Sequence, residues 1–116
     1  YHAIRRVLPR LVPGSRAVVV GIGGLGHMAV MILKAITPAS VIAIDASSSA
    51  LELARELGAD HCLPAGDRTP EAVFAATGGK RVEAVLDFVG AGTTISQAAG
   101  VISPLGEIVV VGRGRG

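Results

Sequence analysis

Apolar residues along this chain alternate between short unbroken runs and stretches spaced by three and four, and that alternation predicts the elements. Ala3 to Leu11 carries Ile4, Val7, Leu8 and Leu11 at helical spacing, with Arg5, Arg6 and Arg10 outside the stripe, before Pro13-Gly14-Ser15 turns the chain. Ala17 to Val20 is a β-branched run with the composition of a buried strand. Leu25, Met28, Ala29, Ile32, Leu33 and Ile36 then repeat with helical period until Thr37-Pro38 stops them. Val41 to Ile44 predicts a second strand, and Ser49-Ala50-Leu51-Glu52 has the form of a capping box. The helix it opens turns Ala50, Leu53, Ala54 and Leu57 inward and closes at Gly58. His61 to Leu63 reads as a third strand, Pro70 to Ala76 as a helix ending at Gly78-Gly79, and Val82 to Phe88 as a fourth strand. Thr94 to Ile102 predicts a helix with Ile95, Ala98, Ala99 and Ile102 on one face, and Glu107 to Val111 a fifth strand.

Strands separated by helices at this spacing require right-handed crossovers and a parallel sheet. The expectation from the alternation is therefore an α/β fold with a parallel sheet of about five strands; the glycine motif and the family resemblance described next imply that it is doubly wound in the order 3-2-1-4-5, the Rossmann arrangement without its usual sixth strand. Composition agrees: half of the 116 residues are hydrophobic but only 3% aromatic, so the core is built from Val, Ile, Leu and Ala. One domain is expected, with residues 1–15 a lead-in helix and turn, 16–112 the sheet domain and 113–116 a flexible tail.

Charge and cysteine content narrow the function classes. The net charge of +2 is small and the eleven Lys and Arg are scattered, which argues against nucleic acid as a partner. Glycines and Lys34 interrupt the best apolar run, so no membrane span is expected. The lone Cys62 has no partner for a disulfide and no thiol cluster for zinc, and it points to a reducing, cytoplasmic setting.

The chemistry concentrates at Gly21-Ile22-Gly23-Gly24-Leu25-Gly26, a G-x-G-x-x-G pattern between the first strand and the first long helix. In a glycine-rich chain the bare pattern is weak, but Asp45 follows 19 residues after Gly26, just past the second strand, and the order strand, turn, helix, acid makes it specific. Gly21 would permit the turn, Gly23 would let backbone approach a diphosphate, and Gly26 would let helix and strand pack closely. The helix N-terminus supplies unpaired N–H groups and a positive dipole end. Asp45 would accept from ribose hydroxyls and repel a 2′-phosphate, favouring NAD over NADP. A methyltransferase on a similar sheet would carry an acid at the position of Val20, and a short-chain dehydrogenase would need Tyr-x-x-x-Lys, whereas the only tyrosine, Tyr1, precedes Arg5.

Five stretches, 18-VVVGIGGLGHMAV-30, 42-IAIDAS-47, 56-ELGADHCL-63, 85-VLDFVGAGTTI-95 and 106-GEIVVVG-112, resemble the coenzyme-binding domain of the medium-chain, zinc-dependent alcohol dehydrogenases. The resemblance covers nearly the whole chain, including the lead-in segment Tyr1-His2-Ala3-Ile4. It implies NAD(H) as cofactor, with Gly21 to Gly26 at the pyrophosphate and Leu25 behind the nicotinamide. It further implies Asp45 on the adenosine ribose, Phe88 and Val89 on the adenosine and ribose side, and Val111 and Gly112 toward the nicotinamide. Many relatives carry Lys or Arg five positions after the acid; here Ala50 stands there, so one ribose contact is expected to be missing. The family's zinc ligands, proton relay and most of its substrate pocket belong to a catalytic domain this chain lacks. The resemblance thus implies that the parent oxidises alcohols with NAD and zinc while this chain alone is not catalytic, and the competing reading is a truncated or degenerate nucleotide-binding fragment that turns over nothing.

The remaining polar candidates carry less. His2, His27 and His61 are too separated for a metal site; His27 is expected at the surface and Cys62 as a small buried hydrophobe. Asp87 is either near the cofactor or a structural loop acid. With no sixth strand, 107-EIVVV-111 would be an almost uncharged sheet edge, and self-association through it is expected.

Overall fold

The computed structural model describes residues 2–111, so the expectations for Tyr1, Gly112 and the 113–116 tail lie outside the described residues. Five strands, β1 (Arg16–Val20), β2 (Ser40–Asp45), β3 (His61–Pro64), β4 (Val82–Asp87) and β5 (Ile102–Val110), form one parallel sheet in the order β3-β2-β1-β4-β5. This is the expected order. The central strands are buried on both faces, which is why they read as continuous apolar runs. Residue parity divides their side chains between two cores, except at Val82, which lies beyond the register shift between Val82 and Ala84. Ala17, Val19, Val41, Ala43, Ala84 and Leu86 pack under α1 (His2–Val7), α2 (Leu25–Ile36) and α3 (Ser48–Glu56). Val18, Val20, Ile42, Ile44, Val82 and Val85 pack on the other side under α4 (Thr69–Thr77) and α5 (Gly92–Val101).

Several local expectations are corrected. The lead-in helix is α-helical only to Val7 and continues as a single 3-10 turn, Leu8–Arg10, because Pro9 has no N–H and its ring crowds the preceding turn. The N-cap of α3 is Ser47, whose Oγ accepts from the Ala50 N–H at 3.2 Å, rather than Ser49, and Leu53 faces outward while Ala54 is buried. On α5 the buried positions are Ala98 and Val101; Ile95 is exposed. Its buried stripe thus keeps Ala98 of the expected face and takes Val101 in place of Ile95 and Ala99. β5 begins at Ile102 rather than Glu107, running through Pro104 and Gly106 with a register shift opposite Val82 and Ala84.

The inward stripe of α2 has the expected period but a narrower buried core. Gly26, Ala29, Val30 and Leu33 are buried, whereas Leu25 is 61% exposed and Met28 and Ile36 are also exposed. Leu25 and Met28, with part of Ile32, instead face a groove beside α1.

Candidate functional site

The loop joining β1 to α2 leaves the sheet where neighbouring connections diverge, at the boundary between β1 and β4, the position at which an open parallel sheet takes its ligands. Its four glycines have different physical causes. Gly21 has φ +88°, and a Cβ there would meet Val89 Cγ2 at 2.9 Å. Gly26 lies against the preceding turn so closely that a Cβ would fall 1.8 Å from the Gly21 carbonyl oxygen, so helix and strand approach only if residue 26 has no side chain. Gly24 caps the helix at φ 59°. Gly23 is different: its φ is not left-handed, and a Cβ on it would meet nothing within 4 Å. Nothing in the described protein requires glycine at position 23, and open space beside its backbone is what an approaching phosphate needs.

The N–H groups divide accordingly. Gly21 donates to Ile44 O at 2.8 Å, Ile22 to Asp45 Oδ2 at 2.7 Å, and Gly26 to Gly23 O at 3.2 Å. Among the described residues, the N–H groups of Gly23, Gly24 and Leu25 have no acceptor. At the start of a twelve-residue helix these donors face outward with the positive dipole end behind them. The residues present therefore fit a diphosphate, with Gly23 to Leu25 offering free donors while the N–H groups of Gly21, Ile22 and Gly26 are bonded within the protein.

Asp45 ends β2 beside this loop, half-buried. Its Oδ2 holds the Ile22 N–H and its Oδ1 the Ser47 N–H at 2.8 Å, so each oxygen keeps lone-pair capacity for a further donor. The carboxylate is thus fixed in orientation before any ligand arrives.

Phe88, Leu25 and Val111 come together in a groove of about 280 Å³ that His2, Ala3 and Ile4 of α1 and Met28 of α2 also line. The Phe88 ring packs in the core layer beneath α1 and α2. It therefore shares the groove with Leu25 and Val111, the pair expected toward the nicotinamide. Val89 is partly exposed and touches the glycine loop at Gly21. On the opposite layer a smaller apolar hollow, about 30 Å³, lies between sheet and helices beside Val20, Ile44, Thr69 and Val73. Gln97 Nε2 spans that side of the molecule, donating to Gly66 O at 2.8 Å.

Asp87, left open between two roles by the sequence, is fully buried. Its Oδ1 accepts from the Val89 and Gly90 N–H groups, both at 2.9 Å, and its Oδ2 from the Thr94 hydroxyl at 2.7 Å. Thr94 Oγ1 in turn accepts from Ala91 N at 3.1 Å. The carboxylate thereby shapes the β4–α5 loop that carries Phe88 and Val89, and it is a structural loop acid. Sequence reasoning did not resolve this support; the signal was Thr94, seven residues on and at the start of a helix.

Cys62 is partly buried on β3, and burial pushes its thiol up, with Arg55 opposing and Glu52 adding to the rise, as befits a packing residue. Among the described residues no group of three His, Cys, Asp or Glu side chains is placed to hold a metal ion. The residues present therefore do not fit a resident zinc. Among the described residues no helix is long and apolar enough to cross a membrane.

A parallel sheet of this order, with a glycine loop at its switch point and an acid ending the next strand, defines a dinucleotide-binding α/β domain. Comparison with known proteins is more specific. Residues 24–116 match the family model described as zinc-binding dehydrogenase, and the chain belongs to that family. It is 40% identical over 113 residues to an NAD-dependent alcohol dehydrogenase of Sulfolobus acidocaldarius, covering 97% of this chain and 32% of the relative. A second NAD-dependent alcohol dehydrogenase, from Sulfurisphaera tokodaii, is 37% identical over 114 residues, with the same shares covered. Among solved structures, the alcohol dehydrogenase of the hyperthermophilic archaeon Aeropyrum pernix superposes with a TM-score of 0.92 at 39% identity, over 97% of this chain and 33% of that one. The chain thus spans about a third of the length of the relatives it matches.

Proposed function

We propose that this chain is the NAD(H)-binding domain of an alcohol dehydrogenase whose zinc-bearing catalytic part is supplied by residues outside it. The observation that carries the reading is Gly23, a glycine with no cause in the protein's own packing, set among three unpaired N–H groups and beside a fixed carboxylate. Gly23, Gly24 and Leu25 would hold the pyrophosphate, and Asp45 would accept from the adenosine ribose with the capacity left on its oxygens. The groove of Leu25, Phe88 and Val111 would take the nicotinamide half, and Val89 would border the loop between the two halves. Bound there, the nicotinamide supplies a hydride acceptor; this chain's own residues bind it, orient it and exclude water from one of its faces. Ala50 brings no cation to the ribose, so Asp45 carries the discrimination against a 2′-phosphate.

The test is titration with NADH and NADPH, followed by nicotinamide fluorescence. NADH is expected to bind at least tenfold more tightly, a difference of about 1.4 kcal/mol. Equal affinities would remove Asp45 from this role, and no binding of either would favour the degenerate fragment. A cytoplasmic setting, and the alcohol dehydrogenase activity of the parent, belong to the same proposal, the latter supported by the names of the relatives.

The sheet edge supports a further proposal, self-association through β5. This strand ends the sheet, and its last three residues, Ile108 to Val110, are apolar, with Val110 exposed. Sedimentation at high concentration is expected to show association that Val110→Lys abolishes; a monomer throughout would refute it.

A further inference from the structure

We infer that Asp45 is a positioning residue for the phosphate cradle as well as a ribose acceptor: its carboxylate latches the glycine loop through the Ile22 N–H. The inference rests on the nucleotide-binding reading above and deepens it. β2 grips two successive donors of the loop, Gly21 by the Ile44 carbonyl at 2.8 Å and Ile22 by the Asp45 side chain at 2.7 Å. The second bond fixes the Gly21–Ile22 peptide, one link short of Gly23, so it constrains the start of the turn that presents the free N–H groups of Gly23, Gly24 and Leu25. Ile22 is itself fully buried, which anchors that peptide from the other side. The second oxygen of Asp45 is tied to Ser47, whose hydroxyl caps α3, so the latch is braced by a helix start. An ionised acceptor makes such a bond roughly twice as strong as a neutral one. The consequence concerns specificity. Replacing Asp45 to admit a 2′-phosphate also releases the loop, so affinity falls for every ligand that carries a diphosphate, with or without ribose hydroxyls.

Two readouts on the full chain test this. The first is amide hydrogen exchange without ligand, with Gly21 as the internal reference because its bond goes to backbone. Asp45→Ala is expected to speed exchange at Ile22 about tenfold or more and leave Gly21 near its wild-type rate. The second is the dissociation constant of 2′,3′-dideoxy-ADP, which keeps the diphosphate and lacks the hydroxyls. Asp45→Ala is expected to weaken it about fivefold, a smaller loss than for ADP. Asp45→Asn, whose amide oxygen can still accept from Ile22, is expected to fall between wild type and Ala, and it carries the test should the Ala variant not fold. Unchanged exchange at Ile22, equal acceleration of Gly21 and Ile22, or unchanged dideoxy-ADP binding would each overturn the latch while leaving the NAD reading intact. A wild-type chain that binds neither nucleotide would overturn that reading and the latch's coupling to it together.

Discussion

Two alanine substitutions three residues apart should have opposite consequences, because the glycines they replace answer to different constraints. At Gly26 an added Cβ lies 1.8 Å from the Gly21 carbonyl oxygen and 2.8 Å from the carbonyl carbon, so backbone must retreat by roughly 1.5 Å to reach ordinary contact. Overpacking of this kind costs about 1–3 kcal/mol, and a collision with backbone belongs at the upper end. Ala in place of Gly within a helix returns about 0.5–1 kcal/mol, less in a first turn. The net expectation for Gly26→Ala is a loss of about 2 kcal/mol, or a Tm lower by about 8 °C for a domain of this size. At Gly23 the added Cβ touches nothing and φ is permissive, so stability is expected to stay within about 0.5 kcal/mol of wild type or to rise slightly. The same methyl stands where a phosphate must approach, and NADH affinity is expected to fall at least tenfold, about 1.4 kcal/mol. Urea unfolding gives the first quantity and NADH fluorescence the second. If Gly23→Ala binds NADH as wild type does, the assignment of that glycine to ligand approach is wrong; if Gly26→Ala is as stable as wild type, the close packing of helix on strand is wrong.

Two further outcomes follow from the carboxylates away from the cradle. Asp87→Ala strands two loop N–H groups and leaves the Thr94 hydroxyl only the Ala91 carbonyl as acceptor, and should cost about 2–3 kcal/mol in urea unfolding, with Asp87→Asn intermediate, since an amide can keep part of the network. Asp60 is held below its ordinary 3.8: burial pulls it up, but the Val41 N–H bond, the Lys34 hydrogen bond and the charges of Lys34 and His61 outweigh that. Because the folded value is the lower one, its stabilisation is complete above 3.8 and is lost as pH falls through the folded value, so Asp60→Asn should flatten the acid limb of stability and change little of its slope near neutrality.

How much of this was legible depended on what each residue answers to. The parallel sheet followed from β1, β2 and β4, whose apolar runs suit burial on both faces, and from helices spaced for parallel crossovers, while its strand order followed from the glycine motif and the family resemblance. The glycine loop and Asp45 were legible because their spacing is set by one turn and one crossover. What escaped was decided by tertiary bonds. Asp87 captures Thr94 and two loop N–H groups, a network that no apolar period records. Gly106, close to the Glu83 carbonyl oxygen and to Ile102, belongs to an extended strand although Pro104-Leu105-Gly106 has the composition of a turn. The Ile22 N–H, expected to belong to the phosphate cradle, is taken by Asp45 instead, and no periodicity records a bond between a side chain and a peptide 23 residues away. Phe88 faces the groove of Leu25 because strand parity places it in the layer of α1 and α2.

The central claim, that Gly23 to Leu25 form the phosphate cradle of a dinucleotide site, is tested most directly by following backbone amide resonances during titration with NADH. The account predicts that the Gly23, Gly24 and Leu25 amides shift most, in the direction of hydrogen-bond donation and in parallel with saturation, while Gly21, already bound to Ile44, moves little. Saturable NADH binding that leaves those three amides unmoved, or no binding at all, would contradict it.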